Sequence, residues 1–267
     1  MYLKQFFGDV ASPHPCVNCS GRETLDFTVR MAFQPIVDVS TRSIYAYEAL
    51  VRGEQGEGAD EVIARVPPEQ LYRFDQTCRV LAIETAARLG MTARLSINFA
   101  PNAVYEPATC IRLTLAAAER CNFDPHLLIF EVTESEKIRD VPHVVRIIKD
   151  YQSRGFLTAI DDFGAGYAGL NLLAEFQPDI VKLDMALIRG LDEDRVRRSI
   201  TSGIVATCRS LGCEVLAEGV ETLAEYRVLR QMGITRFQGY LFARPALEAL
   251  PVIDPALWDQ LDAAAIP

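Results

Sequence analysis

Residues 159–166 read AIDDFGAG, and Asp161 and Asp162 stand side by side where an apolar run stops. Adjacent carboxylates repel each other and are costly to take out of water, so the pair calls for a cation or for solvent. Related side chains recur along the chain: Glu48, Asn98, Glu131, Lys182, Glu218 and Gln238 each follow or end an apolar stretch. Carboxylates and an amide oxygen are hard donors that suit magnesium or manganese. The three histidines, His14, His126 and His143, fall outside these stretches, which disfavours a histidine-based zinc site. Paired aspartates can serve two ions at once, one bridging and the other completing the second ion's shell. Two ions about 3.5–4 Å apart suit displacement at phosphorus.

These side chains need elements that bring them together. Strand-like apolar runs lie at 31–39, 43–51, 94–100, 127–133, 156–163, 179–184, 213–220 and 235–242. Helical patterns lie between them; the one over 71–90 sets Leu71, Phe74, Cys78, Leu81, Ile83 and Leu89 on its apolar positions and stops at Gly90. The first two strands are joined by the tripeptide STR, too short for a crossover helix, so they pair antiparallel. From the second strand onward, strand and helix alternate, the pattern of a parallel sheet covered on both faces. This predicts an α/β chain closed into a (β/α)-type barrel, with an open doubly wound sheet as the alternative. In a parallel barrel the strand ends converge on one rim, where barrel enzymes build their sites. Taken singly, each residue has a plainer reading: DDFGAG as a turn, Asn98 as a local cap, Lys182 as a snorkelling surface lysine, AEGVE as a helix start. Their recurrence at the same end of strand after strand favours a shared site.

The 267-residue chain carries a formal net charge of −9, which argues against a nucleic-acid polymer as partner. No run approaches the ~20 apolar residues of a membrane span, and the opening segment lacks a signal-peptide core. With seven cysteines, an odd number set mostly in apolar helical stretches, these features give a cytoplasmic expectation. Residues 1–25 read as an N-terminal extension and 26–267 as one domain. Within the extension, His14, Cys16 and Cys19 lie close together, but a zinc site needs more ligands and no second CxxC occurs.

The motifs, in order, are QPIVD (34–38), EALVR (48–52), SINF (96–99), EVTE (131–134), DDFGAGYAGL (161–170), VKLD (181–184), AEGVE (217–221) and QGYLFARP (238–245). In them the chain resembles the EAL domain, the phosphodiesterase of the bacterial second messenger cyclic di-GMP. The resemblance implies a modified (β/α)8 TIM-type barrel with one antiparallel strand and two bound ions, Mg²⁺ or Mn²⁺. Glu48, Asn98, Glu131 and Asp161 would hold the first ion; Asp161, Asp162 and Glu218 the second. Lys182 would orient or deprotonate the attacking water, and Gln238 would position a metal-bound water. Glu134 would support the loop after Asp162. Gln34 and Arg52 would contact the sugar-phosphate ring, with Glu221 grouped beside them in support. The implied reaction opens one 3′–5′ phosphodiester of cyclic di-GMP to linear pGpG, with Ca²⁺ inhibitory. A homodimer contact near the loop after Asp162 and a regulatory protein partner are further expectations.

The chain departs from the family pattern at Ala165, where threonine is usual, at Thr235, where aspartate is frequent, and over 53–70, which is shorter and more acidic. Three other functions compete. One is a receptor that binds cyclic di-GMP without cutting it. Another is an unrelated metal-dependent barrel lyase using Lys182. The third is a protein-interaction role for the HPCVNC segment.

Overall fold

The computed structural model describes residues 27–101, 104, 107–133, 140–166 and 169–265. The expected N-terminal extension, with His14, Cys16 and Cys19, lies outside the described residues, as does Glu134.

Strands β1 (Val29–Asp38) and β2 (Ser43–Gly53) form an antiparallel hairpin, as the short connection requires. Asp38 Oδ1 accepts from Ser40 N at 2.9 Å and starts the turn. Parallel strands follow: β3 (Arg94–Asn98), β4 (Leu128–Thr133), β5 (Leu157–Phe163), β6 (Ile180–Leu183), β7 (Glu214–Ala217) and β8 (Arg236–Phe237). β8 pairs antiparallel with β1, and β1 with β2, so the ring closes as a modified (β/α)8 barrel with one reversed strand. A short strand β9 (Ala246–Leu247) adds to β1 at Phe33 and Ala32.

Helices α1 (Ala59–Ile63), α2 (Leu71–Arg88), α3 (Pro107–Cys110), α4 (Arg112–Arg120), α5 (Val141–Ser153), α6 (Gly169–Glu175), α7 (Met185–Ile188), α8 (Arg195–Ser210), α9 (Leu223–Gln231) and α10 (Pro255–Ala265) surround the barrel. Local chemistry sets their starts. Asp140 and Asp194 cap α5 and α8, and Thr222 and Glu225 form a capping box on α9. The last expected strand, 235–242, is cut to two residues. The chain turns at Gly239, where a Cβ would lie 2.1 Å from Val220 O, so only glycine permits this approach to the β7–α9 loop.

The barrel interior explains the spacing of the polar residues. Ile36, Ala46, Ile129, Ala159, Ile180 and Leu216, one from each of six strands, pack into a single buried cluster inside the barrel. Side chains two apart share a face of a strand. Two residues further along each parallel strand therefore stand Glu48, Glu131, Asp161, Lys182 and Glu218, and two residues back along the reversed β1 stands Gln34. The apolar layer is thus the floor of the polar one, as in stacked barrel layers. A larger core, including Phe33, Leu95, Phe130, Ile160 and Phe237, lies between barrel and helices. Among the described residues, no helix is long and apolar enough to cross a membrane.

Candidate active site

Two features at the strand ends break regular geometry. In an ordinary strand, neighbours point to opposite faces, so Asp161 and Asp162 would part. Here the β5–β6 register shifts between Ile160 and Phe163, and Asp162 adopts φ 54°. Aspartate tolerates this left-handed conformation better than most residues. The bulge keeps both carboxylates in one place: Asp161, Asp162 and Glu218 offer oxygens within 4.8 Å of one another. Glu48, Glu131 and Asp161 do the same, so Asp161 belongs to both groups. Glu218 continues the β7 pairing through its N–H to Leu183 O at 3.1 Å. Gly219 follows with φ 63°, where a Cβ would lie 2.5 Å from the Met185 Cβ.

Lys182 stands among these acids. Its Nζ lies 2.7 Å from Glu218, 2.8 Å from Glu131, 2.9 Å from Asp161 and 3.7 Å from Glu48. Around them runs an amide chain. Gln238 Nε2 donates to Glu48 Oε2 at 2.6 Å and to Gln34 Oε1 at 3.1 Å, and Gln34 Nε2 donates to Ala243 O at 3.1 Å. Asn98 Nδ2 donates to Glu48 Oε1 at 3.1 Å, which leaves its oxygen as the donor atom for a cation.

The electrostatics follow from five carboxylates facing one ammonium. Burial pushes Glu131 up to about 8, with Lys182 pulling against the neighbouring acids. Burial together with Asp161 and Asp184 pushes Asp162 up to about 6. Burial and Asp161 also hold Glu218 well above the usual carboxylate range. Asp161 is the exception: burial opposes its charge, but Lys182 and the hydrogen bonds it accepts outweigh that and lower it. Burial opposes the charge on Lys182 too, but Asp161, Glu131, Glu218 and Glu48 hold it well above the ordinary lysine value. The cluster is short of positive charge. It also contains a buried acceptor, Gln238 Oε1, with no hydrogen-bond partner among the described residues. Hard oxygen donors, excess negative charge and an orphaned acceptor fit hydrated divalent cations.

The structure therefore brings together Glu48, Asn98, Glu131, Asp161, Asp162, Lys182, Glu218, Gln238 and Gln34. Arg52 sits four residues beyond Glu48 on β2, half-buried, with Nη1 donating to Val51 O at 2.7 Å. Glu221 stands apart from the cluster, its Oε1 paired with Arg189 at 2.8 Å near the surface. The sequence reading missed two residues. Ser96 is fully buried and donates to Glu131 Oε1; its signal was its position two residues before Asn98 in SINF. Glu225 accepts from the N–H groups of Glu221, Thr222 and Gly190 at 3.0, 3.1 and 3.1 Å, tying the loop after Glu218 to the turn that follows α7; its signal was the capping-box spacing of TLAE.

The chain is similar to known proteins in sequence and in fold. The EAL domain family matches residues 23–245. The chain is 34% identical over 223 residues to the blue light- and temperature-regulated antirepressor BluF of Escherichia coli, covering 83% of this chain and 55% of BluF. It is 33% identical over 156 residues to the cyclic di-GMP phosphodiesterase PdeR of the same organism, covering 58% of this chain and 23% of PdeR. The chain thus spans about half or less of these curated relatives. Among solved structures, a standalone versatile EAL protein from Vibrio cholerae O395 in its c-di-GMP-bound form superposes with TM-score 0.85 at 52% identity, over 88% of this chain and 99% of that one. A manganese and cyclic-diGMP complex of Klebsiella pneumoniae BlrP1 superposes with TM-score 0.79 at 34% identity, over 88% of this chain and 60% of that one.

Proposed function

Because the chain belongs to the EAL domain family, we propose that it hydrolyses cyclic di-GMP to linear pGpG, using two divalent ions, Mg²⁺ or Mn²⁺. The observation that carries this reading is the pair of carboxylate groups sharing Asp161. Glu48, Asn98, Glu131 and Asp161 would hold one ion, and Asp161, Asp162 and Glu218 the other. When bound, such ions supply Lewis acidity toward a phosphodiester and lower the pKa of water. The chain's own residues then position the reactants. Lys182, set among the acids with its Nζ 2.7 Å from Glu218, 2.8 Å from Glu131 and 2.9 Å from Asp161, would orient or deprotonate the attacking water. Gln238 anchors Glu48 through its amide nitrogen and presents its free oxygen to a water molecule. Water oxygen bonds to phosphorus, the 3′ oxygen leaves with a proton, and the ring opens. Gln34 and Arg52 line the approach on β1 and β2, where a guanidinium suits the phosphate. Glu221, outside the cluster and paired with Arg189, is assigned a supporting role, and Glu134 is assigned to supporting the loop after Asp162.

The complexes of related proteins with cyclic di-GMP, one of them with manganese, support this substrate and metal class. A homodimer is proposed from Leu170, Met185, Val196 and Ile200, which are 50–64% exposed on α6, α7 and α8. A regulatory protein partner is proposed as well. A cytoplasmic location suits the free thiols Cys78, Cys110, Cys121, Cys208 and Cys213.

One second reading has a specific observation behind it. BluF, at 34% identity, is named an antirepressor and not a phosphodiesterase, so a module that binds cyclic di-GMP without cutting it is kept as the second reading. Incubation with cyclic di-GMP and Mn²⁺ separates the two: pGpG accumulating over many turnovers supports hydrolysis, and intact cyclic nucleotide supports the receptor.

A further inference from the structure

Helix α2 buries two charged residues beside the apolar positions that face the core. Asp75 is 5% exposed and Arg79 is fully buried, one turn apart. Arg79 Nη2 lies 2.6 Å from Asp75 Oδ2, and Arg79 Nη1 donates to the hydroxyl of the buried Tyr151 on α5 at 3.2 Å. A buried ion pair is weak evidence for stability, since apolar residues of similar volume often serve as well. Its contacts point elsewhere. Asp75 Oδ1 accepts from Ala100 N at 2.9 Å. The guanidinium lies 5.4 Å from the ring centre of Phe99 and 5.8 Å from that of Phe130. Tyr151 packs on the same two rings, with centroids 5.7 and 4.7 Å away.

Phe99 directly follows Asn98, and Phe130 directly precedes Glu131. Neighbours along a strand point to opposite sides, so gripping the two rings outside the barrel fixes the two polar side chains inside it. The paired ends are locked to each other as well, through Phe99 N donating to Glu131 O at 3.0 Å. We propose that Asp75, Arg79 and Tyr151 form a positioning unit that sets Asn98 and Glu131 at the barrel mouth, an inference that rests on reading those two as cation-binding residues. None of the three reaches the cluster itself. They act on it through Phe99, Ala100 and Phe130.

Calorimetric titration of the whole chain with Mn²⁺ alone, without nucleotide, tests this. The double variant Asp75→Asn with Arg79→Met removes both buried charges together, and Tyr151→Phe removes one hydroxyl and little else. Groups hydrogen-bonded directly to metal ligands change affinity by about 10–100-fold, and this unit acts one residue further out. The double variant is expected to keep a native circular-dichroism spectrum and to bind Mn²⁺ more weakly by up to about tenfold. Tyr151→Phe is expected to shift affinity in the same direction by a smaller factor. Wild-type Mn²⁺ affinity in both variants, with only the melting temperature changed, overturns the proposal. If the double variant does not fold, Tyr151→Phe decides alone: unchanged affinity overturns it, weakened affinity supports it. Glu48→Ala serves as the reference. Wild-type Mn²⁺ affinity in that variant overturns the cation reading itself, and this proposal with it. Loss of binding in Glu48→Ala beside intact binding in the other variants overturns the positioning unit alone.

Discussion

Lys182 Nζ lies 2.8 Å from Glu131 Oε2, spanning from β6 to β4 across the barrel mouth. Both side chains are 1% exposed. In the absence of metal, Lys182 is the cation that the acids share. Lys182→Met should therefore leave uncompensated charge. Removing one partner of a buried pair costs about 3–5 kcal/mol. Thermal unfolding of the metal-free variant should show a marked drop in melting temperature that Mn²⁺ partly restores. A melting temperature equal to wild type without metal contradicts this picture of the cluster.

The raised carboxylates give metal binding a pH dependence. Glu131 near 8 and Asp162 near 6 carry protons over part of the neutral range in the metal-free protein. A cation needs both ionised, so binding releases protons and affinity increases as pH rises from about 6 to 8. Titrations in buffers of different ionisation enthalpy measure the protons released. Affinity that is flat or falls over this range would argue against protons competing at these groups.

Gly239 holds the turn that presents Gln238. A Cβ there would meet Val220 O at 2.1 Å and Val220 N at 2.4 Å, both backbone atoms that cannot swing aside. Gly239→Ala should cost about 1–3 kcal/mol of stability, the range for overpacking, and should lower turnover through Gln238. Unfolding curves and steady-state rates check the two effects. Wild-type values for both would mean that the turn can relax at no cost.

The exposed apolar face supplies a test of assembly. Val196→Asp with Ile200→Asp places charge on two residues that are 64% and 50% exposed. A charged substitution in a buried interface carries a desolvation cost, so if the proposed homodimer uses these residues, wild type should sediment as a dimer and the variant as a monomer at the same concentration. Identical sedimentation of the two proteins removes this face as the contact.

Much of this was legible in the sequence because one physical rule produced it. A strand with a period of two, standing on an apolar barrel layer, must put Glu48, Glu131, Asp161, Lys182 and Glu218 two residues above that layer. The antiparallel first strand followed from the three-residue connection alone. Geometry set by contacts distant in sequence was not legible. The left-handed Asp162 depends on a register shift against β6, and the shortened β8 on the approach of Gly239 to Val220. Helix α2 was legible in part. Its apolar positions do face the core, with Phe74 and Ile83 buried and Leu71, Cys78, Leu81 and Leu89 packed against it, but Asp75 and Arg79 are enclosed as well because they satisfy each other and Ala100. Periodicity weighs residue types one at a time, and mutual pairing escapes it.

The most direct test of the proposed hydrolysis is chromatographic identification of the product from cyclic di-GMP with Mn²⁺, with and without a chelator, for wild type and Glu48→Ala. Linear pGpG is expected from wild type with metal only, and little or none from the chelated protein or the variant. Equal pGpG formation by Glu48→Ala, or turnover that persists in chelator, would contradict a paired cation centre at the mouth of this barrel.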